Sequence, residues 1–344
     1  MKRIFAGHSL LTALLASMTT ALLVSPAQAQ NAGYSIKKTF HIASPGGWDY
    51  LFADPDANRL YVSHGTQVNV LDKQTGDSLG VITGTTGVHG IATVTSLGKG
   101  FTSNGRLNTV TVFDLKTSQI LSQISVGQNP DAIFYDDFSK KIITCNGRSQ
   151  DLSVIDPASG QVVATIPVGG KPETAVSNGA GKIFVNIEDK SEIVSIDASA
   201  FKVLNRWSIA PGTSPSGLAM DRKTNRLFAG CDDKILIVLD ATNGSVVAKV
   251  PIGDGCDGVG FDPGTKRVYS TNGEGTLTVI QEKSASEFTV LANVPTKKGA
   301  RTISVDPSTH LVYTPTADFE ATTPAGARRP PMIPGTFQVL VVGQ

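Results

Sequence analysis

Seven side chains recur at one position of a repeating unit, each just before an apolar, alternating segment: Asp49, His89, Asp131, Glu173, Ser216, Asp257 and Arg301. Consecutive members lie 40, 42, 42, 43, 41 and 44 residues apart. Carboxylates suit a hard cation, and an imidazole adds a softer donor or a general base. Like charges held close raise one another's pKa unless a counter-charge is near. Arg301 supplies one and a protonated His89 another, which leaves a negative excess that a divalent cation or a cationic ligand group would relieve. The ring formed by Asp49, His89, Asp131, Glu173, Asp257 and Arg301 is therefore the candidate ligand-binding site. The plain alternative is capping, in which Asp and Ser accept N–H groups of their own turns and Asp49 pairs with Arg301.

A second set closes another segment of the same unit: His64, Asn104, Asn146, Asn186, Cys231 and Asn272. Asn tolerates left-handed backbone and satisfies turn amides, so these asparagines read first as turn residues. His64 is a less usual turn solution, and His64, His89 and Asp49 make a candidate transition-metal set. Arg106, Arg148, Lys171, Lys190, Lys297, Lys298, Arg328 and Arg329 fall in loops expected on the same face. They read either as a rim that attracts an anionic ligand or polymer, or as a solvated surface paired with Glu188, Asp189 and Asp318. Trp48 is the main aromatic among them, a poor platform for stacked bases. Hydrolase, zincin, P-loop, dinucleotide and haem-attachment motifs are absent, so the catalytic residues, if any, are not specified.

The elements that must position these residues follow from the repeat. Tyr61-Val62-Ser63-His64 recurs as Phe101-Thr102-Ser103-Asn104, Ile143-Thr144-Cys145-Asn146, Phe184-Val185-Asn186-Ile187, Phe228-Ala229-Gly230-Cys231, Tyr269-Ser270-Thr271-Asn272 and Tyr313-Thr314-Pro315-Thr316. An independent landmark, Asp72, Asp114, Asp156, Asp197 and Asp240, ends an alternating run in five units, and Gln281 replaces it in the sixth. Turns at Asp54-Pro55, Asp136-Asp137, Asp221, Asp262-Pro263 and Asp306-Pro307 supply a third. Each unit reads as four short strands of period two. Seven such units predict an all-β, seven-bladed β-propeller of four-stranded antiparallel blades. Segment 35–46 resembles a fourth strand placed before the first unit, and the last unit stops after a third strand. The N-terminal strand should therefore complete the last blade and protect its edge. Segment 315–335, with five prolines, is an insertion in that blade, expected as a loosely ordered flap with Arg328 and Arg329 as anion hooks.

Composition agrees with this reading. The chain has 344 residues, 35 of them Gly and 18 Pro, is 17% charged, and has a formal net charge of +1. A long disordered chain, a collagen-like repeat and a polybasic nucleic-acid binder are thereby excluded. Residues 1–29 read as a signal peptide: Lys2 and Arg3, an apolar run from Leu10 to Val24, and Ala27-Gln28-Ala29 before the cut. The expected product is a single propeller domain over 30–344, periplasmic or secreted, with no integral membrane segment after cleavage, and monomeric. Three cysteines allow one disulfide at most, with Cys231–Cys256 the favoured pair on adjacent blades.

The units resemble the YVTN-repeat, YncE-like family of exported bacterial propellers. The resemblance rests on Arg59-Leu60-Tyr61-Val62-Ser63-His64, Gly87-Val88-His89-Gly90-Ile91-Ala92, Gly127-Gln128-Asn129-Pro130-Asp131-Ala132, Val185-Asn186-Ile187-Glu188-Asp189-Lys190 and the tail from Arg328 to Val342. It departs from the strict repeat at Ala229-Gly230-Cys231 and Thr314-Pro315-Thr316. The resemblance implies an exported propeller with no agreed enzymatic role, of which one relative binds DNA, while more distant propellers are lactonases, lyases or haem-carrying reductases. The expected function is a binding or interaction module that holds a small ligand or a protein on its loop face and channel mouth. The alternatives are a lactonase- or lyase-like enzyme with a cation at the mouth, and a DNA-binding periplasmic protein.

Overall fold

The computed structural model describes residues 1, 32–44, 46–324, 326 and 330–344; the expected signal peptide beyond Met1 and the hooks Arg328 and Arg329 lie outside these residues. Seven four-stranded antiparallel sheets follow one another around a central channel. Blade 1 holds β2 (Trp48–Ala53), β3 (Arg59–His64), β4 (Gln67–Asp72) and β5 (Ser78–Ile82). Blade 2 holds β6 (Val88–Val94), β7 (Lys99–Asn104), β8 (Thr109–Asp114) and β9 (Ile120–Ser125). Blade 3 holds β10 (Pro130–Asp136), β11 (Lys141–Asn146), β12 (Asp151–Asp156) and β13 (Gln161–Pro167). Blade 4 holds β14 (Pro172–Ser177), β15 (Lys182–Ile187), β16 (Glu192–Asp197) and β17 (Lys202–Ser208). Blade 5 holds β18 (Pro215–Asp221), β19 (Arg226–Cys231), β20 (Ile235–Asp240) and β21 (Val246–Pro251). Blade 6 holds β22 (Cys256–Asp262), β23 (Arg267–Asn272), β24 (Thr276–Ser284) and β25 (Glu287–Pro295). Blade 7 holds β26 (Ser304–Asp306), β27 (Leu311–Thr316), β28 (Gln338–Gly343) and, as its outermost strand, β1 (Ser35–His41).

The ring closes as the repeat predicts. β1 pairs antiparallel with β28, Phe40 opposite Val339 and Ser35 opposite Gly343. Phe40, Ile42, Phe337 and Tyr313 then form one core with Leu51 and Leu60 of blade 1. The second and third strands of each blade are buried on both faces, because each sheet packs against a neighbour on either side, and no blade could bury both faces alone. The outer strands carry the exposed apolar residues, such as Leu79, Leu121 and Val163.

The turn landmarks do their expected work. Asp72 Oδ1 accepts the backbone N–H groups of Gln74 (2.8 Å) and Thr75 (2.9 Å), and Asp114, Asp156 and Asp197 repeat the arrangement. Where Gln281 replaces Asp, the amide caps the carbonyls of Thr265 and Lys266 instead, and the β24–β25 hairpin runs on to nine residues per strand. All three cysteines are free and buried, so the expected Cys231–Cys256 bridge does not form. Cys256 Sγ instead accepts the Ser270 hydroxyl at 3.2 Å. The insertion is also better anchored than its prolines suggest. Phe319 and Met332 pair in an antiparallel bridge, and Asp318 and Glu320 exchange backbone bonds with Ile333 and Pro331.

Candidate functional site

The innermost strands do not run straight into the channel mouth. β2, β6, β10, β14 and β18 each shift register within their first few residues, as between Trp48 and Leu51 or Pro130 and Ile133, and β22 shifts between Cys256 and Gly258. A bulge of this kind re-aims a side chain. The aligned residues Asp49, His89, Asp131, Glu173, Ser216 and Asp257 each stand second in their strand, inside the bulge, and not before the strand as the sequence suggested. Only Arg301 precedes its strand, because β26 is cut to three residues.

The structure brings these residues into contact in three groups. His89 Nδ1 lies 2.5 Å from Asp49 Oδ2 and 3.5 Å from Asp131 Oδ1. Arg301 pairs with Asp257 and lies 3.7 Å from Asp49, while the Ser216 hydroxyl donates to Asp257 at 2.7 Å. Lys171 lies 3.0 Å from Glu173 and also pairs with Glu188. Asp49 therefore does pair toward Arg301, but weakly, and His89 takes its shorter contact.

Charge is not balanced evenly around the ring. Burial pulls the His89 pKa down, but the hydrogen bond to Asp49 and the charge of Asp131 outweigh it and lift the group to about 9. Burial, then the Asp49 charge, raises the Asp131 carboxyl; burial, then Asp131, raises Glu173. Asp131 is 8% exposed, and its Oδ1 is buried with no hydrogen-bond donor. Such an atom costs about 1–3 kcal/mol when left unpaired, and more when charged. Below the ring, the Tyr50 phenol comes within 3.5 Å of the Thr174 hydroxyl across the channel, and burial keeps it neutral well above the usual range. Beneath it lies an apolar cavity of about 430 Å³, walled by Phe52, Phe134, Met220 and Phe261 among others.

The second set does not form a ligand ring. Asn104, Asn146 and Asn272 are buried and hold side chains, not turn amides. Asn146 accepts from Thr144 (3.0 Å) and donates to Asp151 (2.7 Å) and Ser153 (2.9 Å). Asn104 does the same with Thr102, Thr109 and Thr111, and Asn272 with Ser270, Thr276 and Thr278. Asn186 stands one residue earlier in its strand, since Ile187 is the residue opposite Glu192 as Asn104 is opposite Thr109. One residue along a strand reverses the face, so Asn186 bonds the carbonyls of Ser216 and Gly217 in the next blade. His64 is fully buried, with its ring nitrogens bonded to Ser44 Oγ (2.7 Å) and the Gly46 carbonyl (3.0 Å), and its ring on Phe337. Burial lowers its pKa. The expected metal set of His64, His89 and Asp49 is corrected accordingly: the donors that converge are Asp49, His89 and Asp131.

On the rim, Lys171, Lys190 and Lys297 pair with Glu188, Asp189 and Asp318 respectively. Sequence reasoning missed a large cavity between blades 5, 6, 7 and 1. It holds about 1070 Å³ and reaches Asp257 and Arg301 of the ring. Trp48, Phe319 and Met332 give it an apolar wall, and Asp232, Asp254 and Glu274 an acidic one. Phe319 and Met332 come from the insertion. A signal for Asp232 was present: the residue after the second strand is Gly65, Gly105, Gly147 and Gly273 in four blades, and acidic only at Glu188 and Asp232.

No family model and no curated protein matches this chain. Solved structures do. A chain of the Kuenenia stuttgartiensis hydrazine synthase is similar at 16% identity, with a TM-score of 0.71 over 80% of this chain and 94% of that one. The RRP9 WD40 repeats are similar at 10% identity, with a TM-score of 0.76 over 89% and 97%. A chain of the mitotic checkpoint complex is similar at 15% identity, with a TM-score of 0.72 over 88% and 95%. At such identities the likeness shows the fold alone. This is a seven-bladed β-propeller, a fold that serves binding and interaction modules. No helix among the described residues is long and apolar enough to cross a membrane.

Proposed function

We propose that this chain is an exported propeller of the YVTN-repeat, YncE-like kind that works as a binding module, holding an organic ligand with a positively charged group at the channel mouth. The observation that carries this reading is the cavity between the insertion and blades 5 to 7. Concave sites with an apolar wall and a few placed polar groups are the usual form of ligand pockets. Among the described residues, Asp232 has no cationic partner, and burial together with Asp257 and Glu188 raises its carboxyl. A ligand ammonium or guanidinium would supply the missing charge, and the Trp48 and Phe319 rings would take its apolar body, with cation–π attraction in reach. Export rests on the leader-like residues 1–29.

Titration of the full chain with benzyltrimethylammonium, phenethylamine and a neutral isostere tests the ligand class, read by calorimetry and by Trp48 fluorescence. Saturable binding of the cations, lost in Asp232→Asn with Glu274→Gln at unchanged thermal midpoint, supports the reading. Equal binding of the neutral isostere sinks it. The DNA-binding alternative draws less support, because Lys171, Lys190 and Lys297 already face carboxylates.

A further inference from the structure

Asp49, His89 and Asp131 stand outside that cavity, on the half of the mouth built by blades 1 to 3. Each comes from the bulge of a different inner strand, so strands far apart in sequence fix all three. One nitrogen and two carboxylate oxygens lie within 4.8 Å of one another. Two further observations point to a missing partner, and a third shows how closely the imidazole is held. Asp131 is more than nine-tenths buried, and its Oδ1, which faces His89, receives no hydrogen bond. Neither nearby full cation pairs with Asp131: Lys171 turns to Glu173 and Glu188, and Arg301 pairs with Asp257 and comes only to 3.7 Å from Asp49. Residue 105 has no side chain where the imidazole lies: a Cβ there would stand 2.6 Å from His89 Nε2.

We propose that Asp49, His89 and Asp131 form a divalent metal site. A mixed set of one imidazole and two carboxylates suits transition ions such as Zn²⁺ or Mn²⁺ better than Mg²⁺, which keeps to oxygen donors. The ion takes the lone pair of His89 Nδ1, and the proton that this nitrogen shares with Asp49 leaves to solvent. Two carboxylates then neutralise the dication, and Asp131 Oδ1 gains the partner it lacks. Three protein donors leave the ion further positions for water or a ligand atom. The inference shares no residue with the cationic-ligand cavity and stands or falls without it.

The test uses the full chain, stripped with chelator and titrated with ZnCl₂ and MnCl₂ by calorimetry and with CoCl₂ by visible absorption. One site per chain is expected, with Co²⁺ ligand-field bands and a metal-dependent rise in thermal midpoint. Asp131→Asn and His89→Gln should each weaken binding at least about tenfold and remove the rise. Glu282→Gln, outside the mouth and the cavity, should leave metal affinity within about threefold. Should His89→Gln fail to fold, Asp131→Asn decides alone, because it deletes the carboxylate charge and keeps the shape. Binding no tighter than about 1 mM, or equal binding by the wild type and Asp131→Asn, overturns the site and leaves an imidazolium held between two carboxylates.

Discussion

The mouth ring and the asparagine ring recur with one period on one scaffold, yet they are held in opposite ways. At the ends of β7, β11 and β23 the same residue type returns, and each amide meets the same hydroxyl partners. That ring is closed on itself, buried and satisfied. At the bulges of the inner strands the residue type changes from blade to blade, and the result is a mixed set of charges with at least one orphan oxygen. Regular repetition makes a strut; departure from it leaves groups that look outward for a partner. Buried polar networks stabilise when every member is paired, and cost when they are not.

The widest gap should open at Arg301. Arg301→Met strips Asp257 of its cation and leaves Asp49 with His89 alone, for a loss of about 3 kcal/mol in urea unfolding. A loss under about 1 kcal/mol would mean that the mouth is solvated well enough to need no counter-charge. Next, Asn146→Ala should cost about 2 kcal/mol, because it takes the acceptor from the buried Thr144 hydroxyl and a donor from Asp151 and Ser153. If this variant melts with the wild type, the asparagine ring is no strut.

Glu282 supplies a control from outside both rings. It lies in the last third of β24, accepts from Thr224 at 2.8 Å, and has its other oxygen buried without a donor. Burial raises its carboxyl to about 7. The folded chain thus holds this proton more tightly than the unfolded one, so the associated stability is complete below about pH 4 and is lost as the pH rises through about 7. Glu282→Gln should flatten that slope and gain about 1–2 kcal/mol at pH 8, measured as unfolding free energy across pH. The smallest change is expected at the site itself. Asp131→Asn in metal-free protein should shift stability by under about 1 kcal/mol, in either direction. A loss as large as that of Asn146→Ala would make Asp131 a cap, and the two rings alike.

Much of this was legible in the chain. The spacing of Tyr61, Phe101, Ile143 and their successors placed the blades, and the unpaired segment 35–46 placed the closure. The mouth positions were legible too, because a repeat that packs against its neighbours must return the same residue to the same depth. The pairings were not. Asn186 shows why: it was aligned with residues one position further along, and in a strand a slip of one residue turns the side chain to the other face. His64 shows it again, since its partners, Ser44 and Phe337, come from the two segments that meet only when the ring closes.

Local chemistry along the chain, with alternation of period two, Asp-led turns and a period near 42 residues, determines by itself that the protein is a ring of seven sheets and which residues reach its mouth. It does not say which of those residues touch. His89 meets Asp49 and Asp131 across three blades, and Trp48 of the first blade meets Phe319 beside the last. Such contacts depend on the register shifts of six inner strands and on the Phe319–Met332 pairing between β27 and β28. Both are set by packing between neighbouring blades, a long-range balance that no single segment carries.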